Sequence, residues 1–199
     1  KLGAGGMGVV WLAHDLTEKT DVALKFLPTV LVQHDREMDR LREEVRTGKE
    51  LRHPLIVATY AMEVAGSLAA IVLEYVPGQS LKQKLEASAC GFLEPAEVDG
   101  WLRDIASALT YLHESKQRLH RDLKPANIII DRDGRARLMD FGISQSIQET
   151  LGRHSQTNQS HGTSNTLAYA SPESLRLRHR PAIADDIYGL GATLYDLLT

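Results

Sequence analysis

The sequence predicts an α+β protein in two lobes: a small antiparallel β-rich lobe with one helix over residues 1–76, and a larger, mainly helical lobe over 77–199. Three observations carry this. Apolar residues of the first third fall in short β-branched runs divided by turns. Residues 98–112 hold a long stripe at helical spacing. Pro77-Gly78 breaks the chain between the two patterns. A chain of 199 residues with 43% apolar side chains can fill such cores, which excludes a disordered or fibrous class.

The elements follow in order. Val9–Ala13 and Asp21–Leu27 are β-rich runs on either side of a polar turn at Thr17 to Thr20. Residues 35–52 predict a charged helix, with Met38, Leu41, Val45 and Gly48 on one face and His53-Pro54 ending it. Strands are expected over Ile56–Glu63 and Leu68–Tyr75, around Gly66-Ser67. Pro95 suits a helix start, and Val98, Trp101, Leu102, Ile105, Leu109 and Leu112 continue it as an amphipathic stripe. Two short strands, Asn127–Ile130 and Arg135–Leu138, flank an Asp-Arg-Asp-Gly turn. Residues 144–166 are polar and read as a long loop. From Ala184 a helix begins that is apolar on most sides, which predicts burial.

Charge and cysteine content narrow the partners. A formal net charge of −3 gives no overall field for nucleic acid or an anionic membrane, so neither is expected to contact this segment. A single cysteine, Cys90, excludes an intrachain disulfide framework and a multi-cysteine zinc site, and points to a reducing, cytoplasmic setting. No apolar run approaches the ~18 residues that span a bilayer. The opening Lys1-Leu2-Gly3 and the end inside an apolar run read as truncation at both ends, so a membrane anchor in a full-length protein would lie outside this segment.

Four motifs carry chemistry. In Gly3-Ala4-Gly5-Gly6-Met7-Gly8 the glycines let a hairpin lie close over a phosphate chain with its N–H groups available. A plain tight turn and a dinucleotide-binding turn compete, but Val9-Val10 favours a strand where the latter needs a helix. In Val22-Ala23-Leu24-Lys25 a lysine closes an apolar strand, which is costly unless its ammonium meets an anion. A nucleotide phosphate or a carboxylate of the 35–52 helix would serve. Glu44 lies on that helix's apolar face and is the favoured partner, with Glu43 as the fallback. The string His120-Arg121-Asp122-Leu123-Lys124-Pro125-Ala126-Asn127 is the strong signal. At roughly 5% per residue type, its six specified residues would arise by chance in only about three chains in a million. Asp122 can accept a proton from a hydroxyl, Lys124 can neutralise a transferring phosphoryl group, and Asn127 offers a neutral oxygen to a hard cation. Asp140-Phe141-Gly142 follows, a carboxylate at a strand end that suits Mg²⁺.

In order and spacing these motifs resemble a protein kinase catalytic domain of the serine/threonine type, and the glycine-rich opening is similar to the bacterial, eukaryotic-like kinases. The resemblance covers essentially the whole chain and implies the two-lobed kinase-like fold, incomplete at its C-terminus. It implies ATP and Mg²⁺ as cofactors and transfer of the γ-phosphoryl group to serine or threonine hydroxyls of protein substrates. Gly3, Gly5 and Gly8 would cover the phosphates, and Leu2, Ala4, Gly6 and Met7 of the same hairpin would also bind ATP. Val10 and Ala23 would roof the adenine, Ile129 would floor it, and Leu73 would stand at the back of the pocket as gatekeeper. The backbone of Glu74 and Val76 would bond the adenine edge. Lys25, held by Glu44, would hold the α- and β-phosphates. Asp122 would be the base, Lys124 would reach the γ-phosphate, and Asn127 and Asp140 would bind Mg²⁺. Thr166 would touch the catalytic aspartate, Ser171-Pro172-Glu173 would end the activation segment, and Asp186 would brace the catalytic-loop backbone.

Arg121 is implied to receive a phosphorylated activation loop, with Thr150, Ser155, Thr157, Ser160, Thr163 and Ser164 as acceptors and a homodimer as the arrangement for autophosphorylation in trans. Two departures stand out. Asn165 replaces the usual glycine before Thr166. Gly48 replaces a larger apolar residue one turn after Glu44, which predicts an easily displaced helix and a Gly48→Leu variant of raised basal activity. A catalytically silent scaffold and a small-metabolite phosphotransferase are the competing classes. Gly48 favours the first; Lys124 and the Ser171-Pro172-Glu173 block oppose the second. The histidines other than His120 read as ordinary surface or packing residues.

Overall fold

The structure, a computed structural model, describes residues 1–5, 8–140, 167–176 and 180–199. The described chain divides into two compact units. The first comprises residues 1–52 and 57–75; the second takes in residues 53–56 and everything described from Val76 onward. The sequence expectation put the division after residue 76 and kept 53–56 with the first part.

The first unit is built on a five-stranded antiparallel sheet. Its strands are β1 (Gly3–Gly5), β2 (Gly8–Asp15), β3 (Thr20–Phe26), β4 (Thr59–Ala65) and β5 (Leu68–Glu74), in the order β1-β2-β3-β5-β4. Strand alternation puts Ala23, Lys25 and Leu27 on one face of β3, and Ala69, Ile71 and Leu73 on one face of β5. A short helix α1 (Thr29–Val32) and the longer α2 (Asp35–Gly48) complete the core. Met38, Leu41 and Val45 of α2 pack with Leu31, Ala23, Ile71 and Leu73.

Helix α2 ends at Gly48 rather than running on to residue 52. Gly48 is therefore not an interior residue, and the interior cost of glycine does not apply to it. A Cβ at this position would lie 3.1 Å from Thr59 Oγ1 of β4, so the missing side chain is what lets the helix end approach the sheet. The strand expected to begin at Ile56 begins at Thr59. Leu55 and Ile56 instead turn to the second unit, where the Leu138 N–H donates to Leu55 O at 2.9 Å and Ile56 bridges Leu138 in parallel.

The second unit holds a three-stranded sheet of β6 (Gly78–Ser80), β7 (Ile128–Asp131) and β8 (Ala136–Leu138). Its helices are α3 (Leu81–Ala87), α4 (Pro95–Thr110) and α5 (Ile183–Leu198). The sequence reading did not resolve β6 or α3. A capping box marks the start of α3: Ser80 Oγ accepts from the Gln83 N–H, and Gln83 Oε1 accepts from the Ser80 N–H. Helix α4 passes without a break into a π-helical turn, Tyr111–Ser115, closed by the Lys116 N–H on Tyr111 O. Asp104 of α4 takes a two-pronged ion pair from Arg135, at 2.8 and 2.7 Å, and the Ala136 N–H at 3.0 Å, which ties the helix to β8. Helix α5 is not buried on most sides as expected. Asp186, Gly189, Leu190, Thr193 and Leu197 are buried, whereas Ile183, Ile187, Tyr188 and Tyr195 are exposed. Among the described residues no helix is long and apolar enough to cross a membrane.

Two stability tests follow. Gly48→Leu should lower the thermal midpoint, because the new side chain meets Thr59; overpacking of this kind costs about 1–3 kcal/mol. The Arg135 guanidinium, helped by the Ala136 N–H, holds the Asp104 carboxyl below its ordinary 3.8 against the opposing effect of burial. Its stabilisation is present above that value and lost as pH falls through the lowered folded value. Asp104→Ala should cost about 1–3 kcal/mol at neutral pH, since it strands a buried N–H. Asp104→Asn should flatten the acid limb of a stability–pH profile measured by denaturant melts.

Candidate active site

The glycine-rich opening forms the β1–β2 hairpin, with Gly3 opposite Val10, Ala4 opposite Val9 and Gly5 opposite Gly8. Leu2 extends it through its N–H to Val10 O at 2.8 Å. Gly8 has φ +127°, and a Cβ there would fall 2.0 Å from Phe26 O of β3, so no other residue fits. A Cβ on Gly3 would meet nothing within 4 Å. Gly8 is thus a glycine that the sheet requires, whereas the described residues leave open space around Gly3. Gly6 and Met7 lie outside the described residues.

Lys25 is 4% exposed although it carries a charge, because strand alternation places it between Ala23 and Leu27 on the core face and opposite Ile71. Glu44 is half-buried on the inner side of α2, next to Val45. Glu43, the fallback, is exposed and bonded to Arg46 along the helix. Of the two carboxylates only Glu44 therefore lies on the face that carries the core. Ala23, paired with Leu12 and Leu73, belongs to the same core, and Val10 packs at its edge. Glu74 ends β5; its N–H is spent on Ala58 O at 2.8 Å, so any bond from it to a purine edge must use the carbonyl.

The second unit brings the remaining candidates together. Asp122 is buried, and both its oxygens face the Lys124 ammonium, at 2.8 and 2.9 Å. Asn127 Nδ2 donates to Asp122 Oδ2 and to its main-chain oxygen, each at 2.8 Å. The amide nitrogen is committed by these bonds, which leaves the Asn127 side-chain oxygen as the acceptor of that group. The Met139 N–H donates to Asn127 O at 3.0 Å, which seats Asp140 beside Asn127 at the mouth of the β7–β8 hairpin. One neutral oxygen and one carboxylate make a hard donor set that fits Mg²⁺ arriving with phosphates. Ile129 faces away from its buried neighbours Ile128 and Ile130, leaving an apolar side chain half-exposed. Val76 is buried at the start of this unit.

Behind Asp122 the backbone is strained and braced. Arg121 and Asp140 sit at φ 67° and 64°, the left-handed region that side-chain-bearing residues avoid. Asp186 of α5 holds the loop in place. Its oxygens accept from the Arg121 N–H at 2.7 Å and the His120 N–H at 2.8 Å, and pair with His113 Nε2 at 2.7 Å. His120 is fully buried, and burial pushes its imidazole below the ordinary histidine range despite nearby Asp186 and Asp122. As a neutral ring it accepts from the Asp122 N–H at Nδ1 and donates from Nε2 to Met139 O, linking Asp122 to the backbone before Asp140.

Asp122, Lys124 and Asn127 thus form one hydrogen-bonded cluster on the fold described. The family described as "Protein kinase domain" matches residues 1–199. The chain belongs to the protein kinase family. Among its relatives the domain is 36% identical over 198 residues to the serine/threonine-protein kinase PrkC of Bacillus subtilis, covering 100% of this chain and 29% of PrkC. It is 38% identical over 202 aligned residues to the serine/threonine-protein kinase PknB of Mycobacterium tuberculosis H37Rv, covering 100% of this chain and 31% of PknB. The kinase domain thus spans about three-tenths of the length of these relatives.

Thr166 and the acceptors at Thr150, Ser155, Thr157, Ser160, Thr163 and Ser164 lie outside the described residues, as do Phe141 and Gly142. His113 is a residue the sequence reading missed. It is not an ordinary packing histidine, since its side chain is buried against Asp186. The available signal was its position four residues after Leu109, on the extended stripe of α4. Asp186→Ala should strand two backbone N–H groups and His113, at a cost of about 3 kcal/mol or more. Thermal unfolding of that variant beside His113→Leu, which removes one donor, should show the larger fall for Asp186→Ala.

Proposed function

We propose that this kinase domain transfers the γ-phosphoryl group of MgATP to serine and threonine hydroxyls of protein substrates. The observation that carries the reading is the cluster of Asp122, Lys124 and Asn127, in which a buried carboxylate is oriented by an amide and neutralised by an ammonium. Asp122 takes the proton of the acceptor hydroxyl. Lys124, now resting on Asp122, turns to the γ-phosphate as negative charge gathers there. Its presence two residues after the base supports serine and threonine over tyrosine as acceptors. The names of PrkC and PknB point the same way.

Lys25, with Glu44 behind it, would hold the α- and β-phosphates beneath the hairpin of Gly3, Gly5 and Gly8. Asn127 and Asp140 would hold Mg²⁺, which neutralises phosphate charge when bound. Val10, Ala23, Leu73 and Ile129 would enclose the adenine, with the Glu74 carbonyl and the Val76 backbone at its edge. Thr166 would contact Asp122. Autophosphorylation between two copies, on the loop over 144–166, would give Arg121 a phosphate to bind.

Asp122→Asn keeps the shape and the Asn127 bond to the main chain while removing the base. In the full-length protein it should lower phosphoryl transfer to a generic basic protein at least 100-fold, the lower end for loss of a general base. Nucleotide affinity, read by titration with a fluorescent ATP analogue, should stay within about twofold. Undiminished transfer by this variant would overturn the assignment.

A further inference from the structure

We infer that Ser171 and Asp185 form a positioning pair that seats residues 167–176 beside the catalytic loop, and that this pair governs affinity for the acceptor protein rather than for nucleotide. The inference rests on the kinase reading above. It starts from the two consecutive aspartates in the first turn of α5. Neighbouring residues on a helix point about 100° apart, so the two carboxylates serve different clients. Asp186 takes the catalytic loop. Asp185 turns the other way, accepting from Ser171 Oγ at 2.5 Å and from the Ala182 N–H at 2.8 Å.

Ser171 is 3% exposed, and its hydroxyl is doubly engaged. It donates to Asp185 and accepts from the Ser174 N–H at 3.0 Å, while Ser174 Oγ donates to Ser171 O at 2.7 Å. A buried hydroxyl given to a carboxylate is a charge-assisted bond, among the stronger single contacts available. One turn further along α5, a Cβ built on Gly189 would lie 3.2 Å from Leu123 Cβ, 3.5 Å from Leu123 O and 3.5 Å from Tyr169 O. The residue after the base and the backbone at 169 therefore rest on one small patch of the same helix. Farther on, Asp196 accepts from the Tyr169 hydroxyl at 2.6 Å; burial, aided by this carboxylate, pushes the phenol up, so it stays a donor. Residues 169–171 thus lie beside the stretch that carries Asp122, where an acceptor chain presenting its hydroxyl to that carboxylate would run. The pair lies wholly in the second unit, whereas the glycine hairpin and Lys25 belong to the first.

The competing role is local: Asp185 also caps α5, and a cap alone would affect only stability. Ser171→Ala separates the two, because it removes the pair and leaves the Ala182 bond. In the full-length protein, Ser171→Ala, Asp185→Ala, the double variant and Asp185→Asn should be compared by steady-state kinetics, fluorescent-nucleotide titration and thermal unfolding. Each alanine variant should raise the acceptor KM roughly tenfold, with kcat within about threefold and nucleotide affinity within about twofold. The double variant should be no worse than the poorer single one. Asp185→Asn, which keeps an oxygen for the Ser171 hydroxyl, should recover most of the loss. A lowered thermal midpoint with unchanged acceptor KM, additive effects in the double variant, or an equal loss of nucleotide affinity would each overturn the pair. If Asp185→Ala does not fold, Ser171→Ala decides alone. A wild-type protein that transfers no phosphoryl group overturns the kinase reading and the pair together; one that transfers normally, with indifferent variants, overturns the pair only.

Discussion

The carboxylate of Asp186 is the constraint on which the second unit depends. It is almost wholly buried, a position that is expensive for a charge unless donors surround it. The donors it collects are the amides of His120 and Arg121 and the ring of His113. In exchange it fixes Arg121 in a left-handed backbone that would otherwise relax. Because Asp122 follows directly, its carboxylate is aimed by the same restraint before Lys124 or Asn127 touches it. His120 carries the restraint on to Met139, and so to the Asp140 turn. A helix far along the chain thereby orients Asp122 and the backbone before Asp140 at once.

The first unit solves a comparable problem differently. A lysine is buried on the core face of β3, and a helix with a half-buried glutamate packs over the same core. Here the sheet supplies rigidity through register rather than through a carboxylate hub: Lys25 is fixed by Val10 on one side and Ile71 on the other. Gly8 belongs to the same logic, since only its missing side chain lets β2 lie so close to Phe26.

Much of this was legible in the sequence because the chemistry is written in contiguous strings. The run from His120 to Asn127 needs no tertiary information to be recognised, and β3 and β5 show directly as short apolar runs. What stayed hidden depends on residues distant in sequence. Helix α2 ends at Gly48, close against Thr59, while Leu51 continues the apolar pattern and masks the stop. Leu55 and Ile56 look like the start of β4, but their backbone is claimed by Leu138. Ser171 belongs to a legible block, but its partner shows only when α5 brings Asp185 to it. The exposed face of α5, carrying Ile187 and Tyr195, shows the converse: an apolar pattern states what could be buried, not what is.

The π-helical turn at Tyr111–Ser115 sets a limit of another kind. Widening the turn by one residue changes the rotational phase at which the helix leaves α4. It is in that phase that Leu112 stays inside and His113 meets Asp186. Substituting one side chain along this stretch removes one contact, such as that of His113 with Asp186. A gain or loss of a single residue would instead turn His113 off its bearing and loosen the catalytic loop from behind, so that in this helix the spacing is held more tightly than the lettering.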